Sequence, residues 1–276
     1  MLNIQIPIES EMLETDILLP NTGGHQKSFP LVIFIHGFKG NKNWGFIPEL
    51  CNKISESGFI CVKYNHSFSG YYSENSNQIN VEKFEQMTIS RQLEDLDLLI
   101  ERLLENEAVS RIFSSDIILI GHSMGGGISL LYSLTDSRIK KIVLLAPIAY
   151  FDRYTERQKS IWKESVLIEF PNAKTGQMLR LKAGFLLDLE NNIEKFNLLS
   201  AVKQLNIPIK LIHGLQDMTV KAEEAQKLIN ANPKIDADFI DAASHSFNID
   251  TKGIRNNPIL NKVIAQCIKF LKADNE

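Results

Sequence analysis

The chain has 276 residues, of which 44% are hydrophobic and 23% charged, and its formal net charge is −3. That length suits one α/β domain, or one domain carrying a sizeable insertion, and the composition is that of an ordinary globular protein. Charges of both signs are interspersed without a Lys/Arg block, which argues against a nucleic-acid partner, and no uncharged apolar run reaches membrane-spanning length.

In chain order, "MLNIQIPI" alternates apolar and polar residues, and "EMLETDILLP" reads as a second strand. An antiparallel start is therefore expected, followed by the turn-rich "NTGGHQKSFP". The N-terminus lacks a basic region leading into a continuous apolar core, so it does not read as a signal peptide. Short apolar, β-branched runs then recur: "LVIFIHG" (31–37), "GFICVKYN" (58–65), "DIILIGHS" (116–123), "KKIVLLAP" (140–147), "IPIKLIHG" (207–214) and "DADFIDAA" (236–243). Several are apolar on both faces, as a parallel sheet covered by helices requires.

Amphipathic helical patterns lie between the strands, at 46–57, 86–106, 124–135, 220–231 and 258–272. In the longest, Leu93, Leu96, Leu99, Ile100, Leu103 and Leu104 form one apolar stripe. The expected fold is α/β, a mostly parallel doubly wound sheet with antiparallel N-terminal strands. Cys51, Cys61 and Cys267 are odd in number, widely spaced and in apolar surroundings. They read as buried free thiols of a reducing compartment, which makes a cytoplasmic location the expectation.

Residues 148–206 break this rhythm. They separate a pair of strand candidates by far more than one crossover needs, and they hold about three helical patterns with Tyr150, Phe151, Tyr154, Trp162, Phe170, Phe185 and Phe196. A connection this long usually covers a site. The chain accordingly divides into a core of 1–147 and 207–276 and a helical cap of 148–206. The aromatic residues fit either an apolar substrate pocket or the cap's own core.

Chemistry concentrates at "ILIGHSMGGG" (118–127). "GHSMG" matches G-x-S-x-G with a strand before it and a helix after it. A serine hydroxyl is a weak nucleophile unless it is held clear of the surface beside a base. A sharp strand-to-helix turn does that for Ser123 by straining its backbone, and it leaves no room for side chains at Gly121 and Gly125. Gly126 and Gly127 are expected to let the helix pack closely on the sheet.

A nucleophile on such a turn needs an acid and then a histidine later in the chain. His25 and His66 precede Ser123, His122 lies inside the turn, and His36 and His213 end strands in "HG" pairs. His245, in "AASHSFN", is in the right region. For the acid, Asp217 in "LIHGLQD" is preferred over Asp241, which is too close in sequence to His245 to reach it comfortably. The acid would hold the imidazole tautomer and stabilise the imidazolium as it forms. An oxyanion hole would use the N–H of Met124 and that of Phe38, in the turn "HGFKGNKNW".

Through "HGF" (36–38), "GHSMGG" (121–126), "HGLQD" (213–217) and "SHSF" (244–247), nearly the whole chain resembles the α/β-hydrolase fold superfamily, in particular its serine esterase and lipase-like members. Small acyl-esterases, including feruloyl (cinnamoyl) esterase-like proteins, look nearest. The resemblance implies Ser123 as nucleophile, Asp217 as acid, His245 as base, and the Phe38 and Met124 amides as oxyanion donors. It also implies a cap after the sixth strand. One departure is "YNHSFSGYYSENSN" (64–77), where many members carry an acidic residue and an Arg-Gly stretch; this polar, aromatic segment bears on access or substrate choice.

No phosphate-binding, dinucleotide or zinc motif is present, so no cofactor is expected. The leading reading is a serine hydrolase acting through an acyl-enzyme on a small-molecule carboxylic ester. The same triad also serves peptide or thioester cleavage and acyl transfer. A non-catalytic small-molecule binding module is the reading from a different class.

Overall fold

The computed structural model describes residues 1–8, 11–21, 28–71, 78–172 and 175–273; His25 and residues 72–77 of the divergent segment fall outside them. Among the described residues the strands are β1 (Leu2–Ile8), β2 (Glu11–Leu18), β3 (Phe29–Ile35), β4 (Ile60–Tyr64), β5 (Phe113–His122), β6 (Ile139–Leu145), β7 (Leu167–Pro171), β8 (Met178–Lys182), β9 (Ile209–Gly214) and β10 (Asp236–Ile240). Eight of them form one sheet in the order β1-β2-β4-β3-β5-β6-β9-β10. β1 and β2 run antiparallel, as do β2 and β4, and every later pairing is parallel. This is the α/β-hydrolase sheet with the antiparallel start that the alternation of "MLNIQIPI" foretold.

The runs apolar on both faces have a direct explanation. In β3, Leu31, Ile33 and Ile35 join the core on one face, while Val32 and Phe34 join the core on the other. The first face is covered by the helices Ile89–Glu105 and Met124–Tyr132, the second by Ile47–Glu56 and Pro258–Lys272. A strand clamped between two apolar layers cannot carry a polar side. Cys51, Cys61 and Cys267 are buried, all on the second face.

The helix after β3 lies on one face and the helix after β5 on the other, although β3 and β5 are neighbours. A crevice therefore opens at their carboxyl ends, where open α/β sheets bind ligands.

Between β6 and β9 the chain forms the helices Glu156–Ser165, Ala183–Asn191 and Leu198–Gln204. It also forms an antiparallel hairpin, β7–β8, where the helical patterning of the sequence predicts only helices. Its signal is the alternation in "MLRLK": Leu179 and Leu181 are buried while Met178 and Lys182 are exposed. The aromatic residues of this segment pack mainly on one another. Trp162 stacks on Phe185 at 5.9 Å, meets Tyr154 edge-on at 4.9 Å, and donates from Nε1 to the Leu181 carbonyl at 2.9 Å. Phe151 meets Phe196 edge-on as well.

Candidate active site

Ser123 follows β5 directly, at φ 55° and ψ −117°, a conformation that costs a non-glycine residue about 1–3 kcal/mol. Backbone bonds hold it there. Its N–H donates to the Leu145 carbonyl at 2.9 Å, and its own carbonyl accepts from Gly126 at 3.0 Å. The helix Met124–Tyr132 begins at once and passes so close to β3 that a Cβ on Gly125 would lie 2.2 Å from the Ile35 carbonyl oxygen. Gly121 is equally confined, by the backbone of Gly125. Gly127 differs from expectation. A side chain there would meet Phe151 and Leu198, so this glycine admits the 148–206 segment and not the sheet.

Asp217 lies three residues past β9, and His245 lies in the loop after β10. His245 Nδ1 donates to Asp217 Oδ2 at 2.7 Å, and Asp217 Oδ1 accepts the N–H groups of Thr219 and Val220, each at 2.8 Å. The Asp217 carboxyl is fully buried. Burial alone would raise its pKa, yet the hydrogen bond and charge of His245, with the two backbone donors, hold it below the usual carboxylate range. Asp241 is exposed, and the carboxylate that meets His245 is that of Asp217. His213 donates from Nε2 to the Val220 carbonyl at 2.9 Å and lies 3.5 Å from Asp217 Oδ2.

His122 has a use that the sequence did not disclose. Its Nε2–H donates to the His245 carbonyl at 3.0 Å, and its ring stacks on Trp44 at 5.5 Å. The residue before the serine thus ties the His245 loop to the turn. Asn248 closes that loop from the other side, accepting the Ser244 N–H at 2.8 Å and donating to the Ala242 carbonyl at 2.8 Å.

Phe38 follows β3, and its amide is oriented from behind. The Gly37 carbonyl accepts from His36 Nδ1 at 2.9 Å and from the Gly40 N–H at 3.0 Å. A trans peptide is planar, so the Phe38 N–H points the opposite way from that anchor. His36 also accepts the His66 N–H on Nε2 at 3.4 Å, which fixes one neutral tautomer. Burial pulls its pKa down to about 4, so the ring stays uncharged. Gly37 sits directly against the serine: a Cβ there would lie 3.0 Å from Ser123 Cβ. The Met124 N–H, first in its helix, has no intrahelical acceptor.

Ser123, His245, His122 and the Gly37–Phe38 turn border one cavity of about 450 Å³, whose wall also includes Lys39, Trp44 and Asn172. Among the described residues of the 148–206 segment, only Asn172 reaches this wall. The divergent segment also borders the site's support, since Tyr71 Oη donates to the Lys39 carbonyl at 3.0 Å. Among the described residues, no group of three or more His, Cys, Asp or Glu could hold a metal ion.

The sequence matches the alpha/beta hydrolase fold family over residues 30–216, which is most of the chain and spans the serine turn through the residue before Asp217. The chain belongs to the alpha/beta hydrolase family. It has no significant match among curated proteins. Among solved structures, Est1E from Butyrivibrio proteoclasticus with ferulic acid bound is similar at TM-score 0.71 and 19% identity, over 97% of each chain. GrgF from Penicillium sp. sh18 is similar at 0.73 and 14%, over 98% of this chain and 97% of that one. Alpha/beta hydrolase domain-containing protein 10 from mouse is similar at 0.69 and 17%, over 98% of both chains. Identities this low establish the shared fold. Among the described residues, no helix of this hydrolase-family chain is long and apolar enough to cross a membrane.

Proposed function

We propose that the chain is a serine hydrolase that cleaves carboxylic esters of small to medium acyl or aromatic acids. The observation that carries this reading is the 2.7 Å bond from His245 to buried Asp217 beside the cavity that holds strained Ser123. Asp217 keeps Nδ1 of His245 protonated, which leaves Nε2 free to take the Ser123 proton as Oγ attacks the ester carbonyl carbon. Charge developing on the carbonyl oxygen is met by the N–H groups of Phe38 and Met124, each worth about 3 kcal/mol in the transition state. The imidazolium then protonates the leaving alcohol, and water activated by His245 releases the acid from the acyl-enzyme.

In this reading residues 148–206 act as a cap on a core of 1–147 and 207–276. The approach of Phe151 and Leu198 to Gly127, and of Asn172 to the cavity, support that role. Ferulic acid, seen bound to Est1E, is an aromatic acid, and a ring of that size suits a wall holding Phe38 and Trp44.

The deciding experiment is hydrolysis of para-nitrophenyl esters, from acetyl to long acyl chains and including cinnamoyl, by wild type and Ser123→Ala. Activity that vanishes in the variant, together with labelling of Ser123 by a fluorophosphonate, supports the reading. Wild-type inactivity with an unlabelled serine would leave only a binding crevice.

A further inference from the structure

The wall beside Phe38 carries a cation that the ester mechanism does not use. Lys39 borders the same cavity as Ser123 and His245. Its ammonium lies over the rings of Phe38 and Phe170, 5.7 and 5.3 Å from their centroids. Among the described residues no carboxylate pairs with it, and burial alone pulls its pKa below the ordinary lysine value. The other buried lysines have oxygen partners, which for Lys141 are the Leu271 and Ala273 carbonyls. Lys42 and Lys63 both meet Asp16, and Lys210 meets Asp236 and Asp238. A partly desolvated cation without an anion is normally avoided.

Its position is also held. Lys39 sits at φ 58°, its carbonyl is tied by Tyr71 at 3.0 Å, and the turn beneath it is closed by the Gly40 N–H to the Gly37 carbonyl. Among the described residues, the one other formal charge on the cavity wall besides Lys39 and the His245 imidazole is Asp250, which accepts a hydrogen bond from Ser246 and is exposed. An anion entering the cavity is therefore attracted to the Lys39 side and repelled from the Asp250 side.

We propose that Lys39 is a specificity residue that binds an anionic group, a carboxylate in the simplest case, on the acid or alcohol moiety of the ester that Ser123 attacks. The site then prefers half-esters of dicarboxylic acids, or esters of carboxylated alcohols, to neutral esters of the same size. This inference rests on the esterase reading above. Lys39 acts on substrate affinity and not on the breaking bond, so its effect falls on KM.

Two substrate pairs test it and separate the two sources of the anion. Para-nitrophenyl hemisuccinate against para-nitrophenyl butyrate places the charge on the acid side. The butyrate ester of para-hydroxybenzoate against phenyl butyrate places it on the alcohol side. We expect one anionic member to be preferred about tenfold in kcat/KM, equivalent to about 1.4 kcal/mol. The preference should come through KM, shrink as salt is raised, be lost in Lys39→Met and be retained in Lys39→Arg. No preference in the wild type for either pair, or a preference that persists in Lys39→Met, overturns the inference. Calorimetric binding of the same esters to Ser123→Ala keeps the two readings apart. If no ester is hydrolysed, the esterase reading fails, yet tighter binding of the anionic member that Lys39→Met abolishes still upholds the role of Lys39, and equal binding ends it.

Discussion

Replacing Asp217 with Asn removes one charge and reverses one hydrogen bond, with almost no change in shape. Oδ1 of Asp217 accepts two backbone N–H groups, from Thr219 and Val220, at 2.8 Å each. An amide will place its oxygen there, because its NH2 group would otherwise face two donors. Its NH2 then faces His245 Nδ1, where a carboxylate oxygen now sits at 2.7 Å. His245 must become the acceptor at Nδ1 and carry its proton on Nε2, so in the proposed mechanism it can no longer take the proton of Ser123. The imidazolium formed during attack also loses its counter-charge. Charge centres about 4 Å apart at an effective dielectric near 20 are worth about 4 kcal/mol. The two effects together predict a fall in kcat of about a thousand- to ten-thousandfold, or about 4–5.5 kcal/mol. The assay is steady-state hydrolysis of the best para-nitrophenyl ester, with the thermal midpoint as control. The midpoint should stay close to wild type, because both backbone donors keep their acceptor. A loss of less than about tenfold in a folded variant would refute the assignment of Asp217.

Other outcomes follow from the same geometry. Ser123→Gly should abolish ester hydrolysis yet raise stability by about 1 kcal/mol, because relief of the strain at φ 55° exceeds the added chain entropy; a lowered thermal midpoint would contradict the strain argument. Gly125→Ala forces a methyl to within 2.2 Å of the Ile35 carbonyl and should destabilise the chain by about 3 kcal/mol while lowering kcat, readable by urea unfolding. His36 holds its proton less tightly when folded, at a pKa of about 4, than in the unfolded chain at 6.5. Its stabilisation is therefore complete above pH 6.5 and is lost as pH falls towards 4, with about 2 kcal/mol gone by pH 5. His66, held low by the same burial, acts in the same sense. His36→Gln should therefore recover some of the acid loss when unfolding is compared at pH 7 and pH 5, and an unchanged loss would show that His36 titrates normally.

Local rules explain why so much of the architecture was readable. Runs such as "LVIFI" are apolar on both faces because Ile33 and Val32 serve opposite cores, and few folds impose that demand on five strands. Gly121 and Gly125 are legible because the approach of Gly125 to β3 leaves no volume for a side chain. The hairpin β7–β8 was harder to see, since only Leu179 and Leu181 of its strands are fully buried. A weakly buried strand imposes a weak pattern.

What the sequence determined by itself was therefore whatever has a local or periodic cause: the strands of the main sheet and the helices that cover it, and the tight turn at Ser123. What only the tertiary structure decided were the contacts between distant segments. It gave Asp217 the position beside His245, turned the Gly37–Phe38 peptide by way of His36, tied His122 to the His245 carbonyl, and left the ammonium of Lys39 in the cavity with no carboxylate paired to it among the described residues. Hydrogen bonds between residues far apart in the chain leave no periodic trace. They depend on which loops meet at the ends of the strands, and that follows from how eight strands are ordered in one sheet.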